Sequence, residues 1–279
     1  MQKTIEIKKS TFHQWTKLRK ATLFSGIAIL ILIFIATLWR WAITANDIVS
    51  IIDKFSPEEK AKLVAEKAVP AVLPSFWAIT GTFTWISNLA IGIGLILFAI
   101  YPKSWIAQRA LFLVNTYITI TFVVFWTLIF PVSIKYFQAQ RFINSAIVHF
   151  LNPLICFIFV ILNRKNIQVT KTTIWLSSIV LVAYWFFALF LFFLGQPVLD
   201  ALEVKNPGPD LYKQLALVVY DFLNFKHPLF YKGNSVAIIV LLNLVIFIVG
   251  FLITPGIGFA WKYALKIPYD KVTESWNIQ

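Results

Sequence analysis

Charged residues are scarce in this chain. They make up 13% of its 279 residues, whereas hydrophobic residues make up 59% and the mean hydropathy is +0.78. Soluble domains contain about 25% charged and roughly 45–50% apolar residues. The shortage of charge and the long apolar runs exclude a soluble globular domain and indicate a polytopic integral membrane protein.

Cysteine and the common cofactor motifs are also lacking. Cys156 is the one cysteine, so no intramolecular disulfide is available, and a lone cysteine in an apolar run usually acts as a small hydrophobic residue. No Cys/His cluster has the spacing of a metal site, and nucleotide-binding glycine loops and HExxH patterns are absent. We therefore expect neither a metal nor another cofactor.

Acidic residues are outnumbered by basic ones, 12 to 25, which gives a net charge of +13. This charge does not indicate a nucleic-acid partner, because Lys and Arg lie mainly in the tails and in the short loops between apolar runs. Loops retained on the cytoplasmic side have this character. We expect membrane lipids as partners, and no pattern indicates an oligomeric state.

Six apolar runs are long enough to cross a membrane, which takes about 20 residues of helix. They lie at about 22–43, 76–101, 110–134, 145–162, 174–194 and 235–259. The predicted fold class is an all-α integral membrane protein, with a six-helix transmembrane bundle over 22–259. A capping box at Ser56-Pro57-Glu58-Glu59 predicts an additional short amphipathic helix on the outer surface.

The distribution of basic residues predicts the orientation. With both termini inside, the inner segments contain 14 Lys and Arg, and the outer segments, which are longer, contain 10. The positive-inside rule favours cytoplasmic tails at 1–21 and 260–279, and we expect a plasma-membrane location. Because the first apolar stretch is too long for a cleaved signal peptide, we expect a retained signal anchor.

The last outer loop, 195–234, is interrupted by turn residues such as Asn206-Pro207-Gly208-Pro209. Its later part, 215–223, is too short and too mixed in polarity for a spanning helix. We expect this part to be either re-entrant or interfacial.

One titratable side chain lies well inside an apolar run. His149 is in the fourth predicted span, four residues before Pro153. An ionisable group at such a position is a functional candidate. Pro153 removes a backbone hydrogen bond and frees a carbonyl near residue 149, which adds polarity beside the imidazole.

Small and polar residues form a stripe along the second predicted span. Thr84, Ser87 and Asn88 belong to it, at spacings that place them on one helical face. One interpretation is helix packing, since small residues let helices approach and Ser, Thr and Asn bond across them. A second interpretation is a functional pair, because the predicted orientation places Thr84 and His149 at similar depths below the outer surface.

A threonine beside a histidine can act as a nucleophile, because the imidazole takes the hydroxyl proton. The sequence predicts such a pair, with Thr84 as nucleophile and His149 as base. Candidate oxyanion donors are Ser87, Asn88 and Asn152, and the candidate contributors from the outer loop are Asp221 and His227. The alternatives for His149 are a structural role across helices, a proton relay or a ligand site.

Two segments resemble a known family of membrane enzymes. They are Phe83-Thr84-Trp85-Ile86-Ser87-Asn88-Leu89 and His149-Phe150-Leu151-Asn152-Pro153. Both are similar to segments of the androgen-induced family of multi-pass membrane threonine hydrolases, and the proline matches that family's bacterial relatives. Animal members cleave fatty acid esters of hydroxy fatty acids. The resemblance covers roughly 77–259, and implies that a threonine on an early helix and a histidine on a middle helix act together.

Two functions are compatible with these observations. The first is a membrane hydrolase of lipid-like esters, in which an apolar pocket rich in Phe and Trp takes an acyl chain from the bilayer. The alternative is a non-enzymatic membrane protein, either a small-solute transporter or a structural component. Thr84 and His149 are then packing groups. The internal repeats typical of transporters are not evident in the sequence.

Overall fold

The computed structural model describes residues 11–270, and this part of the chain is built from helices. β-structure within it is limited to one isolated bridge between Val169 and Tyr269. The helices of at least six residues are α1 (Lys17–Ile52), α2 (Pro57–Ala65), α3 (Val72–Thr80), α4 (Phe83–Ile100), α5 (Trp105–Ile129), α6 (Ala139–Asn166), α7 (Lys171–Ala201), α8 (Pro209–Gln214) and α9 (Val236–Ala264).

Six of these helices are long and apolar enough to cross a membrane: α1, α4, α5, α6, α7 and α9. The predicted all-α fold class is confirmed, and the protein is a multi-pass membrane protein. Most of the helices extend beyond the predicted spans. The reason is that a helix continues into the polar interface after its apolar run ends. Thr16, for example, caps α1 by accepting a hydrogen bond from the Arg19 N–H.

The predicted second span, 76–101, is interrupted. α3 ends at Thr80 and α4 begins at Phe83, and Thr82 between them has the extended backbone of a helix N-cap residue (φ −73°, ψ 151°). A hydropathy profile does not show this break, because Gly81 and Thr82 are compatible both with an apolar run and with the start of a helix. Thr84 consequently lies in the first turn of α4 and not in the middle of a continuous span.

Two of the spanning helices widen locally. Phe125–Ile129 in α5 and Ile147–Leu151 in α6 are π-helical turns, which often occur at functional sites. Pro153 follows the second turn and has no N–H to donate to the His149 carbonyl. That carbonyl instead accepts a hydrogen bond from Trp126 Nε1 at 3.3 Å. The carbonyl freed by Pro153 thus links α6 to α5.

The predicted capping box at the start of α2 is confirmed. Ser56 Oγ accepts a hydrogen bond from the Glu59 N–H at 3.2 Å, and the Ser56 N–H donates to the Glu59 carboxylate at 2.7 Å. All residues of α2 are at least partly exposed, as expected for a helix at the surface of the bundle.

The α7–α9 connection (202–235) forms no spanning helix. After α8 it packs against α7 and α9 through buried Leu223 and Phe225. Asn243 Nδ2 in α9 anchors it by donating to the Phe225 carbonyl oxygen at 2.9 Å. The segment 215–223 therefore folds back onto the helix bundle.

α1 and α4 approach each other closely at two glycines. A Cβ added at Gly26 in α1 would lie 2.7 Å from the carbonyl oxygen of Gly92 in α4. Backbone atoms cannot yield as a flexible side chain does, so the contact depends on the absence of a side chain. The neighbouring core of Ile29, Ile91 and Leu95 is fully buried.

We expect Gly26→Ala to lower the thermal unfolding temperature of the detergent-solubilised protein. The added methyl group would overlap a backbone carbonyl, and overpacking of this kind costs about 1–3 kcal/mol. Gly256→Ala in α9 is the matched control, because a Cβ there meets nothing within 4 Å. An unchanged unfolding temperature for Gly26→Ala would contradict the proposed close contact.

Candidate active site

Thr84 and His149 are in hydrogen-bond contact inside the bundle. Thr84 lies in the first turn of α4 and His149 in the π-helical turn of α6. The distance from Thr84 Oγ1 to His149 Nε2 is 3.3 Å, and the exposed fractions of the two residues are 5% and 8%. The predicted proximity of the two residues is confirmed, while the catalytic roles assigned to them remain predictions.

The second ring nitrogen fixes the orientation of the imidazole. His149 Nδ1 lies 2.9 Å from the Ser145 carbonyl oxygen, which can only accept, so Nδ1 carries the proton. Nε2 of the neutral ring is then an acceptor, and the Thr84 hydroxyl donates to it. The ring also stacks on Phe125, with centroids 4.0 Å apart and an interplanar angle of 14°. His149 therefore presents a basic nitrogen to the Thr84 hydroxyl.

Tyr220 completes the site, and sequence reasoning missed it. Its hydroxyl oxygen accepts a hydrogen bond from the Thr84 N–H at 3.1 Å and lies 3.2 Å from Thr84 Oγ1, to which it can donate its proton. Burial raises the pKa of the Tyr220 hydroxyl, and the hydrogen bonds with Thr84 act in the opposite direction. The stretch around Tyr220 is visible in the sequence as aromatic, but nothing there singles out this tyrosine.

Tyrosine hydroxyls hold the start of α4. The first N–H groups of a helix have no partner within the helix, and the N-cap side chain supplies none here. The Phe83 N–H donates to the Tyr184 hydroxyl at 2.9 Å, and the Thr84 N–H donates to Tyr220. Tyr184 in turn donates to the Gly81 carbonyl oxygen at 3.2 Å. α7 and the α7–α9 connection thus fix the threonine backbone.

The three predicted oxyanion donors are engaged elsewhere. Asn88 Nδ2 donates to the carbonyl oxygens of Thr84 and Val148, at 2.8 and 2.9 Å. Asn152 Nδ2 donates to Asn88 Oδ1 at 2.9 Å, and Ser87 Oγ bonds to the Thr84 carbonyl and to a threonine hydroxyl of α5. None of the three lines the cavity beside Thr84. Their geometry favours the packing interpretation over the predicted oxyanion role.

The two predicted contributors from the outer loop lie away from the site. Asp221 accepts a hydrogen bond from Lys213 Nζ at 2.7 Å. Both ring nitrogens of His227 face backbone carbonyls within the α7–α9 connection, at 3.0 and 3.2 Å. Neither residue lines the cavity beside Thr84. The structure therefore does not bring Asp221 or His227 to the site, because the connection turns Tyr220, and not these residues, towards α4.

An apolar cavity of about 240 Å³ borders the Thr84–His149 pair. Residues from α4, α5, α6, α7, α9 and the α7–α9 connection form its wall, including Ile120, Leu181 and Phe247. No Asp, Glu, Lys or Arg of the described chain lines it. The reactive groups of the site therefore face an apolar space.

The arrangement supports nucleophilic chemistry without a metal ligand set. Residues 11–270 contain no cluster of three His, Cys, Asp or Glu side chains that could hold a metal ion. What the site offers is a hydroxyl, a neutral imidazole that accepts its proton, and a phenol that donates to the same oxygen. A hydroxyl and an adjacent base are the groups that a serine- or threonine-type acyl transfer needs.

We expect Tyr220→Phe to destabilise the protein by about 1–3 kcal/mol. The substitution removes one oxygen atom and leaves the buried Thr84 N–H without its acceptor. Tyr101→Phe is the matched control, because the Tyr101 side chain is 58% exposed. Thermal unfolding in detergent measures both. Equal stability of the two variants would show that the Tyr220 hydroxyl does not hold α4.

Comparison of this chain with protein-family models, with curated proteins and with solved structures found no match. The cavity wall, the oriented imidazole and the phenol at the start of α4 define a candidate active site within a multi-pass membrane protein.

Proposed function

We propose that the protein is a membrane hydrolase of lipid-like esters, with Thr84 as nucleophile and His149 as general base. The observation that carries this proposal is the hydrogen bond between Thr84 Oγ1 and His149 Nε2 in the wall of an apolar cavity. Catalytic pairs of this kind require reach of about 3 Å between nucleophile and base. Burial of both side chains also places the pair in an apolar environment, where electrostatic interactions are stronger than in water.

The first half of the reaction forms an acyl-enzyme. His149 Nε2 takes the Thr84 hydroxyl proton while Oγ1 attacks the ester carbonyl carbon. The Ser145 carbonyl, bound to Nδ1–H, stabilises the imidazolium that results. Collapse of the tetrahedral intermediate breaks the ester C–O bond, and the alcohol leaves with the proton held by His149.

The second half releases the acid. Water enters the site, His149 removes one of its protons, and the hydroxide attacks the acyl group on Thr84. Cleavage of the acyl–oxygen bond returns the proton to Thr84 and frees a carboxylic acid. In both halves the N-terminal end of α4 and the Tyr220 hydroxyl supply positive electrostatic potential where the oxyanion develops.

The cavity fits the acyl part of a lipid. Its wall is apolar, and the lining side chains Leu128, Val245 and Val249 are also exposed on the outer surface of the bundle, by 39–52%. An apolar chain can therefore reach the cavity from the hydrocarbon core without crossing water. A charged small solute would meet no counter-charge in this wall, which favours an ester substrate over the transport of ions.

The proposal includes a relationship to the androgen-induced family of membrane threonine hydrolases. The support is the order of the two residues, a threonine on an early helix and a histidine on a middle one, at Thr84 and His149.

The proposal also includes an orientation with both termini on the cytoplasmic side of the plasma membrane. Its support is the larger number of Lys and Arg, in shorter segments, at the end of the bundle that carries the termini.

A fluorophosphonate probe tests the proposed pair on the purified full-length protein. We expect wild-type protein to be labelled and Thr84→Val to be unlabelled, because the nucleophilic oxygen is gone. His149→Gln should slow labelling by at least about 100-fold, the usual contribution of a general base. Rates are measured by in-gel fluorescence over time.

The controls are a threonine and a histidine outside the site. Thr127→Val in α5 removes a hydroxyl bonded only to a backbone carbonyl of its own helix. His227→Gln changes the histidine of the α7–α9 connection. Both should be labelled at the wild-type rate. Labelling of Thr84→Val at that rate, or no labelling of folded wild-type protein, would refute the hydrolase and leave the non-enzymatic alternative.

A further inference from the structure

The two ends of the bundle differ sharply in charge. The end formed by residues 17–20, 103–109, 164–171 and 262–270 carries ten basic residues and one acidic residue. The opposite end, at 40–67, 135–141 and 200–232, carries eleven basic and nine acidic residues. The single carboxylate of the first end, Asp270, is paired with Arg109 at 2.9 Å. This end, which we call the basic end, therefore has a large excess of positive charge.

A cavity of about 570 Å³ lies at the basic end, between the start of α1, the α4–α5 turn and the end of α6. Arg19, Lys103 and Lys165 line it together with polar groups such as Thr16 and Asn166. No carboxylate of the described chain lines it. The cavity thus offers three cations and hydrogen-bonding groups on facing walls, and nothing of opposite charge.

Arg19 is held in place by the end of α4. Its Nε donates to the Ala99 carbonyl oxygen at 2.6 Å and its Nη2 to the Ile100 carbonyl oxygen at 2.9 Å. The guanidinium also lies over the Trp15 ring, with 3.7 Å from Cζ to the ring centroid. Nη1 makes none of these bonds, so a fixed guanidinium has donors left for an anion.

Lys103 and Lys165 are free to meet a ligand. Both are exposed, and neither forms an ion pair with any residue between 11 and 270. The walls that carry them are tied to each other, because Gln108 Nε2 donates to the Pro102 carbonyl oxygen and its Oε1 accepts from the Gln168 N–H. Two exposed ammonium groups therefore lie on walls that are hydrogen-bonded to each other.

The level of the cavity is that of lipid head groups. Exposed aromatic side chains lie at the same end of the bundle, with Phe12, Tyr101 and Trp105 exposed by 43%, 58% and 57%. Aromatic residues of this kind concentrate where membrane meets water. Basic pockets between transmembrane helices at this level bind phosphorylated lipid head groups.

We propose that the cavity at the basic end binds the phosphate of an anionic phospholipid head group. The guanidinium of Arg19 forms the fixed part of the site, and Lys103 and Lys165 close on the phosphate oxygens. The acyl chains then lie along the apolar flanks of α1 and α4. The proposal does not depend on Thr84 and His149, which belong to the other cavity.

Lipid binding to the purified full-length protein tests the site. Delipidated protein is titrated with phosphatidylglycerol or phosphatidylcholine in detergent and bound lipid is counted by native mass spectrometry. We expect a preference for phosphatidylglycerol of about tenfold or more, since each basic contact contributes several-fold. The double variant Lys103→Gln/Lys165→Gln should lose most of this preference.

The matched control removes two exposed lysines from the opposite end, as Lys205→Gln/Lys232→Gln, and should keep the preference.

Competition by inorganic phosphate identifies the source of the anion. Displacement of phosphatidylglycerol at millimolar phosphate would assign the site to a free phosphate and overturn the lipid. Equal binding of the two lipids, or an equal loss in both double variants, would overturn the site itself. Because all four lysines are exposed, unfolding temperatures should match the wild type.

Discussion

The start of α4 is the constraint on which the candidate site depends. A helix that begins inside a membrane protein exposes N–H groups that neither the helix nor water can satisfy. Here the hydroxyls of Tyr184 and Tyr220 satisfy two of them, at 2.9 and 3.1 Å. The same phenol of Tyr220 then reaches the side chain of Thr84, whose hydroxyl meets His149. The Tyr220 hydroxyl therefore both satisfies an N–H group at the start of the helix and contacts the hydroxyl of Thr84.

Hydrogen bonds with backbone carbonyls also align His149. The π-helical turn of α6 brings the Ser145 carbonyl to Nδ1, and Pro153 releases the His149 carbonyl to Trp126. The orientation of the ring, its tautomer and the contact of α6 with α5 are thus fixed without a charged partner. A neutral imidazole is the form in which a histidine is least costly in an apolar environment and in which it acts as a base. The candidate site thus orients its imidazole without a carboxylate of the kind that serine hydrolases use.

The sequence predicted the six spans, apart from the break in the second, and the proximity of Thr84 and His149, and the reasons are physical. Apolar runs near 20 residues mark helices in lipid, and an ionisable group within one needs a polar neighbour. Periodicity did not locate the break before Phe83, because Gly81 and Thr82 are compatible with both a helix and its start. Nor did it identify Tyr220, since that contact joins residues 136 apart through a connection with little regular structure. Long-range contacts of this kind are set by packing, which a single sequence does not display.

The two cavities differ in their lining: one is apolar and borders Thr84 at the start of α4, and the other is basic and lies at the end of α4. The first cavity borders the proposed catalytic pair, Thr84 and His149. Peptide mass spectrometry of wild-type protein after fluorophosphonate treatment tests this pair most directly, because the method identifies the residue that carries the adduct. We predict a single phosphonylated peptide with the adduct on Thr84. An adduct on another residue, with Thr84 unmodified, would contradict it.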